Sequence, residues 1–427
     1  MMYSNNYYRD IYTEYMVDQQ LRASLNYSYQ FKNKSLEPLK KWKAAQADQP
    51  SSKYLQFLKE FNINPIPARF SFRTDVARSY SERQYRDLSQ YYGGASTFNT
   101  PYFSNNFLFS WQYNLGFDLT RSLRLDLNAS TTTLNDGDYF YKADQSLIWE
   151  NLFKVGRPIN YDQRLQVNYK LPLKFFPYLS FMNMELAYGA NYNWQAYSLA
   201  TRTYKEYDDD GNVTKVQNLG DGVAQNSNSI SMIGDMDFTR FYTEFKGYKR
   251  YDSILKGRRS ELDSLNNAYS TLALKKNKRN SKNKYKFKNK FQAKDIGWMV
   301  LSSLKRVNFN YGQTNGAVIP GLFTEPGFFG TNSQGAPTLG FIYGSQFDIK
   351  RQLIEKGLVS DSDLMTDPYQ ITKGTNFNAT ALIEPIPNLR IDLNAIHFTQ
   401  LQRFRKHSGS ISRSWRSRSC KKTCRNN

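Results

Sequence analysis

The sequence predicts an all-β fold, the wall of a transmembrane antiparallel β-barrel, and three observations carry that expectation. Residues 107–119 place Phe107, Phe109, Trp111, Tyr113, Leu115, Phe117 and Leu119 at every second position. Side chains alternate across a strand, so one face stays apolar for longer than the about 9–11 tilted residues that cross a bilayer. Nowhere do 18 apolar residues follow one another, and the mean hydropathy is −0.69, which excludes helical spans. Aromatic residues make up 16% of the chain, with 32 Tyr against 6 Trp, rings with an apolar body and a polar tip that suit strands and interfacial girdles.

The alternation recurs along the chain. Leu21, Ala23, Leu25, Tyr27, Tyr29 and Phe31 form one stripe, and Phe70, Phe72, Thr74 and Val76 another. After the strand at 107–119, a short Thr120-Arg121-Ser122 turn returns to Leu123, Leu125, Leu127 and Ala129, the pattern of a hairpin. Val167, Tyr169 and Leu171 mark the next strand. Met184, Leu186, Tyr188, Ala190, Tyr192, Trp194 and Ala196 mark one as long as the first. Ile230 with Met232, then Val307, Phe309 and Tyr311, lead to a final pair, Phe377–Ile383 and Leu389–Ala395, separated by Glu384-Pro385-Ile386-Pro387-Asn388. Proline cannot donate to a ladder, so that segment reads as a turn. Roughly ten strands result, with boundaries good to about two to four residues.

These faces assign Phe107, Phe109, Trp111, Tyr113, Tyr188, Tyr192 and Trp194 to lipid, and Ser110, Gln112 and Asn114 to a hydrated lumen. Short helices are expected at Ser52–Phe61, Ile296–Leu304 and Asp348–Gly357, where apolar residues fall at helical spacing. In a barrel such pieces belong at the rims or inside.

The formal charge of +21 is unevenly spread. Lys246–Lys294 holds 16 Lys/Arg against 3 Asp/Glu, and Leu401–Asn427 holds 9 against none, leaving the rest at −1. The chain therefore divides into strands and a rim helix at 1–245, a basic insert at 246–295, further strands and loops at 296–400, and an atypical basic tail at 401–427. Basic residues interleaved with Tyr285, Phe287 and Phe291 suit single-stranded nucleic acid, anionic lipid headgroups or a solvated loop. The near-neutral body favours the latter two, and no nucleic acid is expected as a partner.

Little in the chain asks for chemistry. The two histidines are His397 and His407, and no nucleophile elbow, phosphate loop, dinucleotide fingerprint or His-Glu-x-x-His motif occurs, so no catalytic residue and no cofactor is expected. Cys420 and Cys424 lack a second pair at zinc spacing, so no metal site is expected. Asp208-Asp209-Asp210-Gly211-Asn212 lacks the full spacing of a calcium loop and reads as a solvated turn.

Specific wording then resembles a known family. Asn62-Ile63-Asn64-Pro65-Ile66-Pro67-Ala68-Arg69-Phe70-Ser71-Phe72-Arg73-Thr74-Asp75 and the following Arg78–Arg86 resemble the SprA/Sov family, the outer-membrane translocon of the type 9 secretion system in Bacteroidetes. Phe117–Leu123, Thr314–Gly321 and Pro337–Gln346 resemble it too, in order along the chain. The resemblance implies a very large single-chain barrel in the cell outer membrane that passes folded proteins to the surface, including adhesins of gliding motility. It also implies outer-membrane lipid and lipopolysaccharide, other secretion components such as plug and shuttle proteins, and secreted cargo as partners. Rim loops such as Gly316–Gly344 are expected to contact partners or gate the opening.

Three departures go with it. The start carries no export signal, the alternation stops before the family's last strands, and 401–427 does not match, so an internal piece of a longer chain with a shifted-frame end is expected. The rival readings are a TonB-dependent receptor barrel and a soluble basic nucleic-acid-binding protein.

Overall fold

Every alternating segment becomes a strand in the computed structural model. It describes residues 1–427 apart from 33–34, 38–61, 95–99, 136–155, 177, 209, 274–292, 333, 348, 361, 363–364, 366, 387–388 and 406–427. The strands are β1 (Met2–Tyr8), β2 (Thr13–Gln30), β3 (Arg69–Tyr85), β4 (Tyr102–Phe117), β5 (Leu123–Leu134), β6 (Arg157–Lys170), β7 (Met182–Ala196), β8 (Thr203–Tyr207), β9 (Val213–Asn218), β10 (Gly222–Asp237), β11 (Leu304–Leu322), β12 (Tyr369–Ile386) and β13 (Leu389–Arg405). Eleven of them form one antiparallel sheet in the order β1-β2-β3-β4-β5-β6-β7-β10-β11-β12-β13, and β8-β9 is a separate hairpin. Each strand of the sheet pairs with its neighbour in sequence, apart from that hairpin. Among the described residues β1 and β13 do not pair with each other, so the sheet is open.

The register gives the sheet two chemically different faces. One row of partners runs Tyr27, Phe72, Tyr113, Ala129, Gln163, Tyr192, Asn226, Ala317, Ile371 and Arg403. Around it, the same face carries Leu25, Tyr29, Phe70, Leu127, Leu165, Val167, Leu186, Ile230, Met232, Phe309, Phe377, Ile391 and Leu393. The opposite face carries Ser71, Arg73, Gln112, Asn114, Asn128, Asp162, Arg164, Asn191, Asn193, Ser229, Asn310, Thr314 and Asn376. Its side chains bond to one another, as Asn193 Nδ2 to Asp162 Oδ1 at 2.6 Å and Arg306 bidentate to Asp235 at 2.7 and 2.8 Å. The edge strand β13 departs from the pattern, since Ile396 and Phe398 stand exposed on the polar side.

The same row also reports stagger. It begins at Tyr27, near the last residue of β2, and ends at Arg403, near the last residue of β13, at the opposite end of the sheet. That drift is roughly 1.3 residues per strand. With a rise of about 3.3 Å and a strand spacing of about 4.8 Å it tilts the strands by about 40° from the perpendicular to the line of their ends.

Helices fill the connections: α1 (Leu199–Arg202), α2 (Phe238–Thr243), α3 (Lys246–Ala273), α4 (Ala293–Leu301), α5 (Leu339–Ile342) and α6 (Lys350–Glu355). Those expected near 296–304 and 348–357 are present as α4 and α6, displaced by a few residues. The helix expected at 52–61, the tract Lys282–Lys290 and both cysteines lie outside the described residues.

Three expectations need correction. The first part of the basic insert is the long helix α3, because Tyr248, Tyr251 and Ile254 recur on one side and bury themselves, beside neighbours rich in helix-forming Leu, Lys and Arg. The last strand passes the expected start of the tail at 401, since β13 runs to Arg405 and pairs it with Tyr369. Gly316 is not in a rim loop, because β11 continues to Leu322.

Candidate functional site: a lobe seated on the apolar face

After β11 the chain leaves the sheet and turns back onto its apolar face. The ends of this excursion meet: Phe323 N–H donates to Leu358 O at 2.9 Å, Leu322 bridges Val359, and Ser360 N–H donates to Gly321 O at 2.8 Å. Residues 323–358 are thus a closed lobe. Its Ala336, Phe341, Ile342, Ile349 and Leu353 are buried in one cluster with Tyr113, Ala129, Tyr161, Tyr192, Trp194, Ala224, Ala317 and Ile319 of the sheet.

Stacking and hydrogen bonds hold it there. The Phe328 ring lies 4.8 Å from those of Trp111 and Tyr113, at 22° to each, and Phe341 meets Tyr192 edge-on at 6.2 Å. Side chains of the sheet donate to carbonyls of the lobe. Tyr188 Oη donates to Tyr343 O at 2.5 Å, Asn228 Nδ2 to Gly344 O at 2.6 Å, and Asn226 Nδ2 to Phe341 O at 2.8 Å and Ser345 O at 2.9 Å. Asn226 Oδ1 accepts in turn from Ala317 N–H at 3.1 Å and Gln346 Nε2 at 3.2 Å, so this buried amide is fully satisfied. The Tyr161 hydroxyl lies within reach of both Gln163 Oε1 (2.7 Å) and Phe328 O (3.1 Å), and its one proton serves either. Gln163 Nε2, Tyr192 Oη and Trp194 Nε1 are buried without a partner among the described residues.

Gly344 makes the close approach possible. Its φ is 87°, and a Cβ there would stand 2.8 Å from Asn228 Cβ and 2.9 Å from Tyr188 Oη.

The base of the lobe carries the charges. Arg202 Nη1 pairs with Asp221 Oδ1 at 3.0 Å. Burial raises the Glu325 carboxyl above its ordinary value, the nearby Asp221 adds to this, and Arg202 and Arg157 oppose it. Burial likewise pushes the Tyr197 hydroxyl up to about 12. The β8-β9 hairpin is tied in through Ser360 Oγ to Asn218 O at 3.1 Å and Ser362 Oγ to Gln217 Oε1 at 2.7 Å.

The residues assigned to lipid therefore fall into a different place. Tyr113, Tyr192 and Trp194 lie under the lobe at no more than 1% exposure, so protein covers them. Phe107 is buried as well. Phe109 is half-buried, Trp111 stacks on Phe328, and Tyr188 holds Tyr343. Alternation gives the side of the sheet correctly and says nothing of what a distant segment lays over it. Ser110, Gln112 and Asn114 share the opposite, polar face. There Ser110 bonds Thr132 at 3.2 Å and Asn114 bonds Ser71 at 2.8 Å.

Sequence reading missed Asn226, Asn228 and Phe328. The signal available was Asn226 and Asn228 interrupting an otherwise apolar face, since a buried amide needs partners. Asp208 and residues 210–212 are exposed between β8 and β9, with Asn212 N–H donating to Asp208 Oδ1 at 2.6 Å. Among the described residues no three His, Cys, Asp or Glu side chains come together to hold a metal, and no helix is long and apolar enough to cross a membrane. No protein-family model matches the chain. No curated protein matches it either.

Proposed function

We propose that this chain forms part of the wall of an outer-membrane protein-conducting barrel of the SprA/Sov kind, a conduit for proteins bound for the cell surface. The observation that carries this reading is the two-faced, staggered sheet. A tilt of about 40° is what closed membrane barrels need, and alternation of an apolar with a hydrogen-bonded polar face is how they separate lipid from lumen. A soluble sheet would bury its apolar face. Here Leu25, Ile391 and Leu393 remain 67%, 41% and 52% exposed.

The lobe supports a particular depth. Its irregular backbone cannot face hydrocarbon, so it marks one margin of the bilayer. Below it the apolar positions Phe377–Ile383, Val307–Tyr311 and Ile230–Met236 make a band roughly 15 Å tall after tilt, against about 25 Å for the full apolar belt of outer-membrane barrels. The polar face then lines the passage. The resemblance to the type 9 translocon supports protein as the cargo.

The test is cross-linking in cells that make the protein. A photoreactive residue in place of Gln112 or Asn310, on the polar face, captures exported polypeptide in transit, whereas one in place of Phe309 captures lipid. Release of the protein from membranes by salt without detergent, or capture of nucleic acid, would overturn the reading.

A further inference from the structure

At the end of the sheet opposite the lobe, two connections gather into one body. The turn between β6 and β7 packs Phe181 on Phe238 and Phe241 of α2 at 5.2 and 4.9 Å. Tyr242, Tyr248 and Tyr251 are buried between α2 and α3, and Trp298 of α4 lies 5.9 Å from Phe245 and 6.0 Å from Tyr248. The first part of the basic insert is therefore docked at the sheet end.

Two kinds of group remain uncovered on it. On α4, Ile296, Val300 and Leu301 fall on one side and are 56%, 66% and 56% exposed. That helix passes through Ser302 and Ser303 straight into β11, which puts this stripe at the end of the sheet, a few residues from the apolar position Val307. Tyr178, with a φ of 65° that bulky residues rarely adopt, and Leu179 stand exposed on the neighbouring turn. On α3, Lys246, Lys249 and Arg250 sit one turn apart, exposed, with no acidic partner among the described residues. Lys256, by contrast, pairs with Asp252 at 2.7 Å. Exposed apolar residues and cations without an acidic partner among the described residues, carried on one helical body at the end of the sheet, fit an anionic headgroup layer.

We propose that α2, α3 and α4 form a clamp on the membrane surface. Ile296, Val300 and Leu301 enter the boundary between acyl chains and headgroups, and Lys246, Lys249 and Arg250 bind phosphate-bearing anionic headgroups of that leaflet. The proposal rests on the membrane reading above.

The full chain, with Cys420 and Cys424 replaced by Ser, is given one fluorophore at Val300→Cys or, as a control inside the apolar band, at Met232→Cys. It is reconstituted with brominated phosphatidylcholine, with or without brominated phosphatidylglycerol. Quenching at Val300→Cys should rise with phosphatidylglycerol. Replacing Lys246, Lys249 and Arg250 together by Gln should shift the balance between quenched and unquenched probe by on the order of a hundredfold, since each surface cation contributes about 1 kcal/mol. Quenching at Met232→Cys alone, or quenching at Val300→Cys indifferent to phosphatidylglycerol and to the triple replacement, overturns the clamp. A probe at Val300→Cys that responds only to added single-stranded nucleic acid or protein does the same. An unquenched Met232→Cys overturns the membrane reading itself.

Discussion

Asn226 of β10 donates to the carbonyl of Phe341 at 2.8 Å, across the seam between the sheet and the lobe. The same amide serves Ser345, Gln346 and Ala317, so one side chain joins two adjacent strands to the segment lying over them. Replacing it by Ala takes the Asn226 partner from the Ser345 carbonyl and the Ala317 N–H, at about 1–3 kcal/mol each, while the Phe341 carbonyl keeps the Gly344 N–H at 3.0 Å. The Asn226→Ala protein should keep its sheet but lose protection of residues 323–358 in hydrogen exchange. Unchanged exchange across the lobe would show that stacking alone seats it.

Gly344→Ala tests the same seam through the backbone. A left-handed φ and a Cβ forced against Asn228 and Tyr188 both oppose the change. The lobe should loosen by more than about 1 kcal/mol. Gly335→Ala shares the positive φ (70°) but meets nothing within 4 Å, so it should cost less. Equal proteolysis of the two variants would remove the close-approach argument.

Facing on the sheet separates the two sides below the lobe. Phe309→Arg puts a cation on the apolar face near mid-band and should cost about 2–4 kcal/mol in membrane assembly. Asn310→Arg, on the polar face, should assemble normally. Equal yields of folded protein in outer membranes would contradict the assignment of faces.

The Glu325 carboxyl, raised mainly by burial, gives the lobe a pH dependence. In the folded state it holds its proton more tightly than when unfolded, so its contribution to stability is complete at low pH. That contribution is lost as the pH rises from the ordinary carboxyl value through the raised one. Glu325→Gln should flatten that fall and make the lobe more resistant to protease at neutral pH. A variant whose lobe keeps the wild-type pH profile would assign the dependence elsewhere.

Neutralising Arg202 should act in the opposite sense. Arg202→Gln leaves Asp221 without its partner and removes the cation that opposes the rise at Glu325. The loss of lobe stability with rising pH should then deepen and extend to higher pH, read by proteolysis across a pH series. An unchanged or shallower loss would mean that Arg202 does not act on Glu325.

Strand positions and the polarity of each side were legible in the chain because a period of two is a local property. Phe107 to Phe117 needs no knowledge of other segments to read as a strand with one apolar side. The helix α3 was hidden by its Lys and Arg, although Tyr248, Tyr251 and Leu255 mark a helical stripe beneath them. What meets the apolar side was not legible. Phe328 reaches Trp111 and Tyr113 from far along the chain, and no pattern within β4 distinguishes a ring that meets lipid from one that meets another ring. The sequence by itself determined the sheet, its two faces and where the charge lies. Only the tertiary structure decided that the lobe covers one end of the apolar face and that the helices gather at the other end of the sheet, because both follow from contacts between segments that alternation cannot encode.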